Sequence, residues 1–355
     1  MKARAWVVAA VAVALAVTGF AGYQLGLRAG KPGAPTGFTT SQPSTPGASS
    51  TANSRPGQAS FAPYQITPSP TLGPGSAGLN CKLPVYSIGG DGSGGFITFP
   101  GGAFSPDNSS EVTTKVGSDF YGLTYDRKVG KWLPVPPTWV APDGSLYAYA
   151  LDLAAHAANQ VFVVNAETGS GVSLGGVGTG WQVIGVSQTT IYAEPFHGTG
   201  VWTVAISGTF NPQLLGDGYP EAASGFYVFA SSIPDGGAIA RMDVRSPATR
   251  VPWFNKSASA EVIGFDGSGN AVISTGSELW IATAADQATR ISTVPLLAPP
   301  SQLRPDIDGP VRGTRAPVAD SHGLWFSTTD GIYLYDGTAS KQVISSQLQV
   351  AGPCV

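Results

Sequence analysis

Residues 139–175 read WVAPDGSLYAYALDLAAHAANQVFVVNAETGSGVSLG, and this stretch decides the fold. Four short runs rich in β-branched and aromatic residues stand out: WVA, LYAYAL, QVFVVN and GVSLG. The turn PDGS, a longer loop and the turn AETGS separate them, so the stretch is an antiparallel meander of four strands. The same rhythm returns downstream. From Trp181 it runs QVIGV, TIYAEP, VWTVAI, PQLLG; from Tyr219, FYVFAS, AIARMDV, the turn RSPAT, RVPWF. Near Ala260 it runs EVIGF, AVIST, ELWIAT, RISTV, and near Pro317, PVAD, LWFSTT, GIYLYD, QVISS. Upstream, PVYSI, GGFITF, FYGLTYD and KWLPVP supply one more set. The chain therefore carries six units of roughly 40 residues, two enlarged by insertions.

A four-stranded unit of this length cannot cover both its faces alone. Stacking such sheets around an axis covers each face with a neighbour. The expected fold is all-β, a six-bladed β-propeller, with seven blades as the rival. WVAPDGSLYAYA followed by QVFVVNAETG resembles the TolB-type propeller repeat, with Ala141 where that repeat carries Ser. ADSHGLWFSTTDGIYLYDG is similar to repeats of the propellers attached to bacterial two-component sensors. Both resemblances span single blades and imply architecture; a fold of this kind hosts many functions.

The flanks place the domain. Lys2 and Arg4 precede an uncharged stretch, Ala5 to Leu27, long enough as a helix to span a bilayer. Residues 1–28 are expected to be a signal peptide or transmembrane anchor, with the bulk of the chain outside. Residues 29–80, rich in Pro, Gly, Ser and Thr, lack apolar periodicity and are expected to be a disordered linker. The propeller is assigned to 81–355. Its two cysteines, Cys81 and Cys354, bracket it. Export exposes them to oxidising conditions, so a disulfide is expected, closing a ring whose terminal units each own four strands. Such a bridge contributes up to ~5 kcal/mol in the chain-entropy model.

Composition narrows the function. Nineteen basic against 22 acidic residues give a net charge of −3, which excludes the cationic surface of a nucleic-acid binder. There is no HExxH or paired-cysteine metal motif, no G-x-S-x-G elbow and no sialidase-type Asp box. DGSGN at Asp266–Asn270 has too few carboxylates for calcium, and GGDGSGG at Gly89–Gly95 leads into no helix that could face a phosphate. No cofactor is expected.

Blade order sorts the loops. Links between second and third strands, and between blades, share one face; the turns on the other are short. The long links, 100–118, 152–159, 195–200, 233–237 and 295–316, all fall on the first face, where function is expected. Trp139, Trp181 and Tyr219 begin innermost strands there and are candidates for stacking on a ligand at the channel mouth. His156 and His197 lie in adjacent long loops. The segment RPDIDGPVRGTR concentrates Arg304, Asp306, Asp308, Arg312 and Arg315 in a charge-poor chain, either pairing among themselves or offered to an anionic ligand. The expected function is an extracytoplasmic, membrane-tethered, monomeric binding or sensing module for a cell-envelope glycan, peptide or protein. The alternative is a propeller hydrolase or lyase acting on extracellular polysaccharide, drawing on Asp152, His156, Glu194, His197 and Arg304. With no catalytic motif, the non-enzymatic reading is favoured.

Overall fold

Asp- and Gly-containing turns reverse the chain between short apolar runs, and the computed structural model shows the resulting meanders. It describes residues 70–87, 94–110, 122–153, 158–175, 180–195, 199–207, 211–233, 236–297 and 315–355. The expected leader (1–28) and spacer residues 29–69 lie outside the described residues, as do His156, His197, Arg304, Asp306, Asp308 and Arg312. Among the described residues no helix is long and apolar enough to cross a membrane.

The chain begins with β1 (Lys82–Ser87), β2 (Gly94–Thr98) and β3 (Ala103–Pro106), followed by a hairpin, β4 (Thr124–Asp126) and β5 (Lys131–Leu133). Then come β6 (Leu146–Leu153), β7 (Ala158–Asn165) and β8 (Gly171–Ser173). The next sheet is β9 (Trp181–Val186), β10 (Thr190–Pro195), β11 (Val201–Ala205) and β12 (Gln213–Gly216). After it run β13 (Tyr219–Ser224), β14 (Tyr227–Ile233), β15 (Gly236–Asp243) and β16 (Ser246–Phe254). The fifth sheet holds β17 (Glu261–Phe265), β18 (Ala271–Ser274), β19 (Leu279–Ala284) and β20 (Gln287–Ser292). The last strands are β21 (Val318–Asp320), β22 (Gly323–Thr328), β23 (Gly331–Tyr335), β24 (Ser340–Ile344) and β25 (Leu348–Val350).

Sheets β9–β12, β13–β16, β17–β20 and β21–β24 each keep sequence order. Sheet β6–β7–β8 gains a rudimentary innermost strand where Val140 bridges Tyr147. With the sheet β25–β1–β2–β3, the described residues form a six-bladed all-β propeller.

Ring closure corrects the sequence reading. The first blade does not own four consecutive strands. The C-terminal strand β25 is its innermost member, pairing Val85 with Val350 and Ser87 with Leu348. Its outermost strand is β3, which lies inside the long link expected at 100–118. TYD of the expected FYGLTYD strand and KWL of KWLPVP instead form a β4–β5 hairpin, whose Tyr125 and Trp132 pack on Phe96 of β2. The expected disulfide is present: Cys81 and Cys354 are joined, with Cα atoms 5.7 Å apart. Strand and disulfide thus close the ring together. Asp320 adds a third tie, its buried carboxylate accepting Cys354 N–H (2.9 Å), Trp325 Nε1–H (2.8 Å) and His322 N–H (2.7 Å).

Burial explains why strand alternation is weak. The innermost strand β9 is buried at every residue, whereas the outermost β8 is exposed throughout. Inner strands are covered by neighbouring blades on both faces, so both faces are apolar. Close approach demands small residues there: a Cβ on Gly264 would sit 2.8 Å from Pro317 Cδ.

The turns are held by their own side chains. Asp143 Oδ1 accepts Ser145 N–H (3.0 Å), and Asp266 Oδ1 accepts Ser268 N–H (2.9 Å) and Asn270 N–H (2.8 Å). These are Asx turns, which explains the recurring Asp at hairpin tips. One reversal is displaced: RSPAT begins in the Val244–Arg245 turn but continues inside β16.

Residues 70–80, expected in the disordered linker, are packed instead. Leu72 bridges Ile344, Gly73 N–H donates to Val343 O (2.8 Å), and Ser345 N–H donates to Thr71 O (3.0 Å). The segment seals the outer edge of β24, an edge otherwise open to pairing with another chain.

Candidate functional site

The mouth of the axial channel lies where the innermost strands begin, on the face that also receives the long links. Trp139 ends a 3-10 turn, Pro137–Trp139, and Trp181 opens β9. Both side chains are buried, at 1% and 6% exposure, in the core shared by the second and third blades. Trp181 meets Trp202 edge to face, with ring centroids 5.7 Å apart. This corrects the expected aromatic platform: these two indoles hold blade to blade and present no face to a ligand. The pattern that flagged them, an aromatic at the head of an inner strand, is equally the pattern of inter-blade packing. Tyr219 is only half-buried and remains at the mouth.

Two carboxylates that sequence reasoning passed over stand beside it. Glu221, two residues along β13, is buried, and its Oε2 accepts the backbone N–H of Val262 from the next blade (2.7 Å). An inner strand has no partner on its axial side, so its N–H groups need such caps. The signal was present in YPEAAS, where one acid sits among small apolar residues. Glu261, at the head of β17, is paired with Arg315, both partly buried. Arg315 is the member of the expected charged set that falls among the described residues. It pairs with Glu261, a carboxylate of the adjacent blade.

The pair fixes one end of the charged segment. Ahead of that segment, Leu296 bridges Thr328, Leu297 N–H donates to Ser327 O (3.2 Å) and Thr329 N–H donates to Pro295 O (3.0 Å). Residues 295–297 thereby extend the inner side of β22 above the short β21. Residues 298–314, between these two points, lie outside the described residues.

The candidate catalytic set is not brought together among the described residues. Glu194 lies in β10 opposite Gln182 and Asp152 lies in β6, while His156, His197 and Arg304 fall outside the described residues. Among the described residues there is no group of three or more His, Cys, Asp and Glu able to hold a metal.

No protein-family model matches the sequence, nor does any curated protein. Solved structures do align with it. TolB from Acinetobacter baumannii does so at 12% identity and a TM-score of 0.45, over 77% of this chain and 67% of TolB. Virginiamycin B lyase from Staphylococcus aureus aligns at 14% identity and a TM-score of 0.39, over 76% of this chain and 88% of the lyase. Prolyl oligopeptidase B from Galerina marginata aligns at 12% identity and a TM-score of 0.39, over 76% of this chain and 42% of the peptidase. TolB and other propeller proteins are thus among the structural neighbours, and the blade topology itself makes this chain a propeller.

Proposed function

We propose that this chain is an extracytoplasmic binding or sensing propeller, tethered to the membrane through residues 1–28 and the spacer that follows. Its mouth face receives a cell-envelope glycan, peptide or protein. The observation that carries this reading is the fixing of both ends of the charged link at the channel mouth, by Arg315–Glu261 on one side and Leu296–Thr328 on the other. A rigid scaffold that presents loops from one face is how propellers are suited to recognition. Half-buried Tyr219 adds an aromatic surface beside it, and Arg304, Asp306, Asp308, Arg312, His156 and His197 belong to the same proposed face. The disulfide supports an oxidising compartment.

The test uses the full chain in cells and as a purified protein. Fractionation should place it with membranes, and non-reducing electrophoresis should show the disulfide formed. A soluble cytoplasmic chain with reduced thiols rejects the compartment. In pull-downs from solubilised envelope, the Tyr219→Ala/Arg315→Glu variant should retain its fold by circular dichroism and lose its partner. Equal retention by the folded variant rejects the mouth as the binding face.

A further inference from the structure

A cleft of about 310 Å³ opens between outer strands of the fifth and sixth blades. Arg290, Ser292 and Thr293, from β20 and the residue after it, form one side; Tyr333 of β23 and Ser340 of β24 form the other. Its volume is at the small end of the range for ligand sites, about 300–1,000 Å³. Most of its walls are paired strands rather than loops, which hold side chains in fixed positions. Ser340 Oγ–H donates to Ile291 O (2.5 Å), tying the two blades at the base of the cleft.

The hydrogen-bonding state of each lining group specifies a ligand class. Arg290 is neutralised by Glu278 at 2.6 Å, so the cleft offers no net charge to an anion. Ser292 Oγ accepts Val294 N–H (3.1 Å) and keeps its own proton to donate. Ser340 and Tyr333 have given their protons, to Ile291 O and to Asp330 Oδ2 (3.0 Å), and keep lone pairs to accept. Burial and the adjacent Asp330 carboxylate raise the Tyr333 phenol above its ordinary range. Ile291 and Val294 supply apolar surface between these polar groups. Interleaved donors and acceptors over an uncharged, partly apolar floor match the vicinal hydroxyls and C–H faces of a sugar ring. We propose that this wall cleft is a binding subsite for a neutral saccharide, separate from the mouth.

The test is saturation-transfer NMR on the purified chain with cellobiose, maltose and N,N′-diacetylchitobiose as probes and sodium sulfate as the anionic control. At least one disaccharide is expected to bind saturably. Tyr333→Phe should weaken it about three- to tenfold, the worth of one hydrogen bond. Thr293→Trp, at an exposed position that can fill the cleft, should abolish it. Tyr219→Ala/Arg315→Glu should leave it unchanged, so failure of the mouth proposal does not touch this one. The proposal is overturned if no disaccharide saturates, if sulfate displaces the sugar, or if binding survives in folded Thr293→Trp.

Discussion

Ring closure by both a strand and a disulfide makes a quantitative prediction. The bridge joins residues 273 apart, for which the chain-entropy model gives a ceiling of about 5–6 kcal/mol, while removal of native disulfides typically costs about 2–5 kcal/mol. At roughly 2–4 °C per kcal/mol for a domain of this size, Cys81→Ser/Cys354→Ser should lower Tm by about 5–15 °C. The fold should nonetheless survive, because the remaining ties do not pass through sulfur. β25 still pairs with β1, Lys82 and Val355 exchange two backbone hydrogen bonds of 2.8 and 2.9 Å, and Leu348, Val350 and Ala351 stay buried. Truncation before Leu348 removes all of these. It withdraws two large apolar side chains, each worth about 1.5–3 kcal/mol, and exposes the inner edge of β1. The assay is thermal unfolding by near-ultraviolet circular dichroism, on the double-serine variant and on wild type in dithiothreitol. The second arm controls for placing a hydroxyl at the buried Cys354 position. Native near-ultraviolet signal with a lowered Tm in both arms is expected, and loss of the signal on truncation. An unchanged Tm would refute the latch, and loss of native signal at 25 °C on reduction alone would refute closure by the strand.

Two further outcomes test the physics of the same fold. Asp320→Ala strands the donors of Cys354, Trp325 and His322 around a buried site, and should cost about 3 kcal/mol in urea unfolding with an unchanged slope; a loss under 1 kcal/mol (about one ordinary hydrogen bond) would show that the tie is ornamental. Tyr147 is pushed up to about 12 by burial and by the neighbouring Tyr149 phenol, so its contribution is complete below the ordinary value of 10.0 and is lost as pH rises toward 12. Stability measured from pH 9 to 11 should therefore fall in wild type and fall less in Tyr147→Phe, whereas parallel profiles would remove Tyr147 as the source.

What the sequence made legible and what it hid have separate physical causes. Blades two to six were readable because each strand pairs with its neighbour in sequence, and an Asp or Asn side chain stabilises many of the reversals locally. The first blade was not, because its innermost strand is remote. LQV at 348–350 is short, follows QVISS closely, and becomes a strand only by pairing with β1. AFSP, which forms β3, is exposed and carries little apolar signal, while TYD and KWL have stronger strand character yet pair with each other and not with β3 in the first sheet. Local propensity identifies strands but not their partners, and closure of a ring is a question of partners. The same limit governs the site. Trp139 and Trp181 head inner strands, and residue type alone cannot tell an indole wedged between blades from one facing the channel. Glu261 looks like an ordinary surface acid, and the lone acid in YPEAAS does not name its partner, until the adjacent blade supplies the Arg315 guanidinium and the Val262 N–H that hold them. In a propeller, each blade's inner edge is completed by the next blade, so the mouth belongs to pairs of blades and to no single repeat.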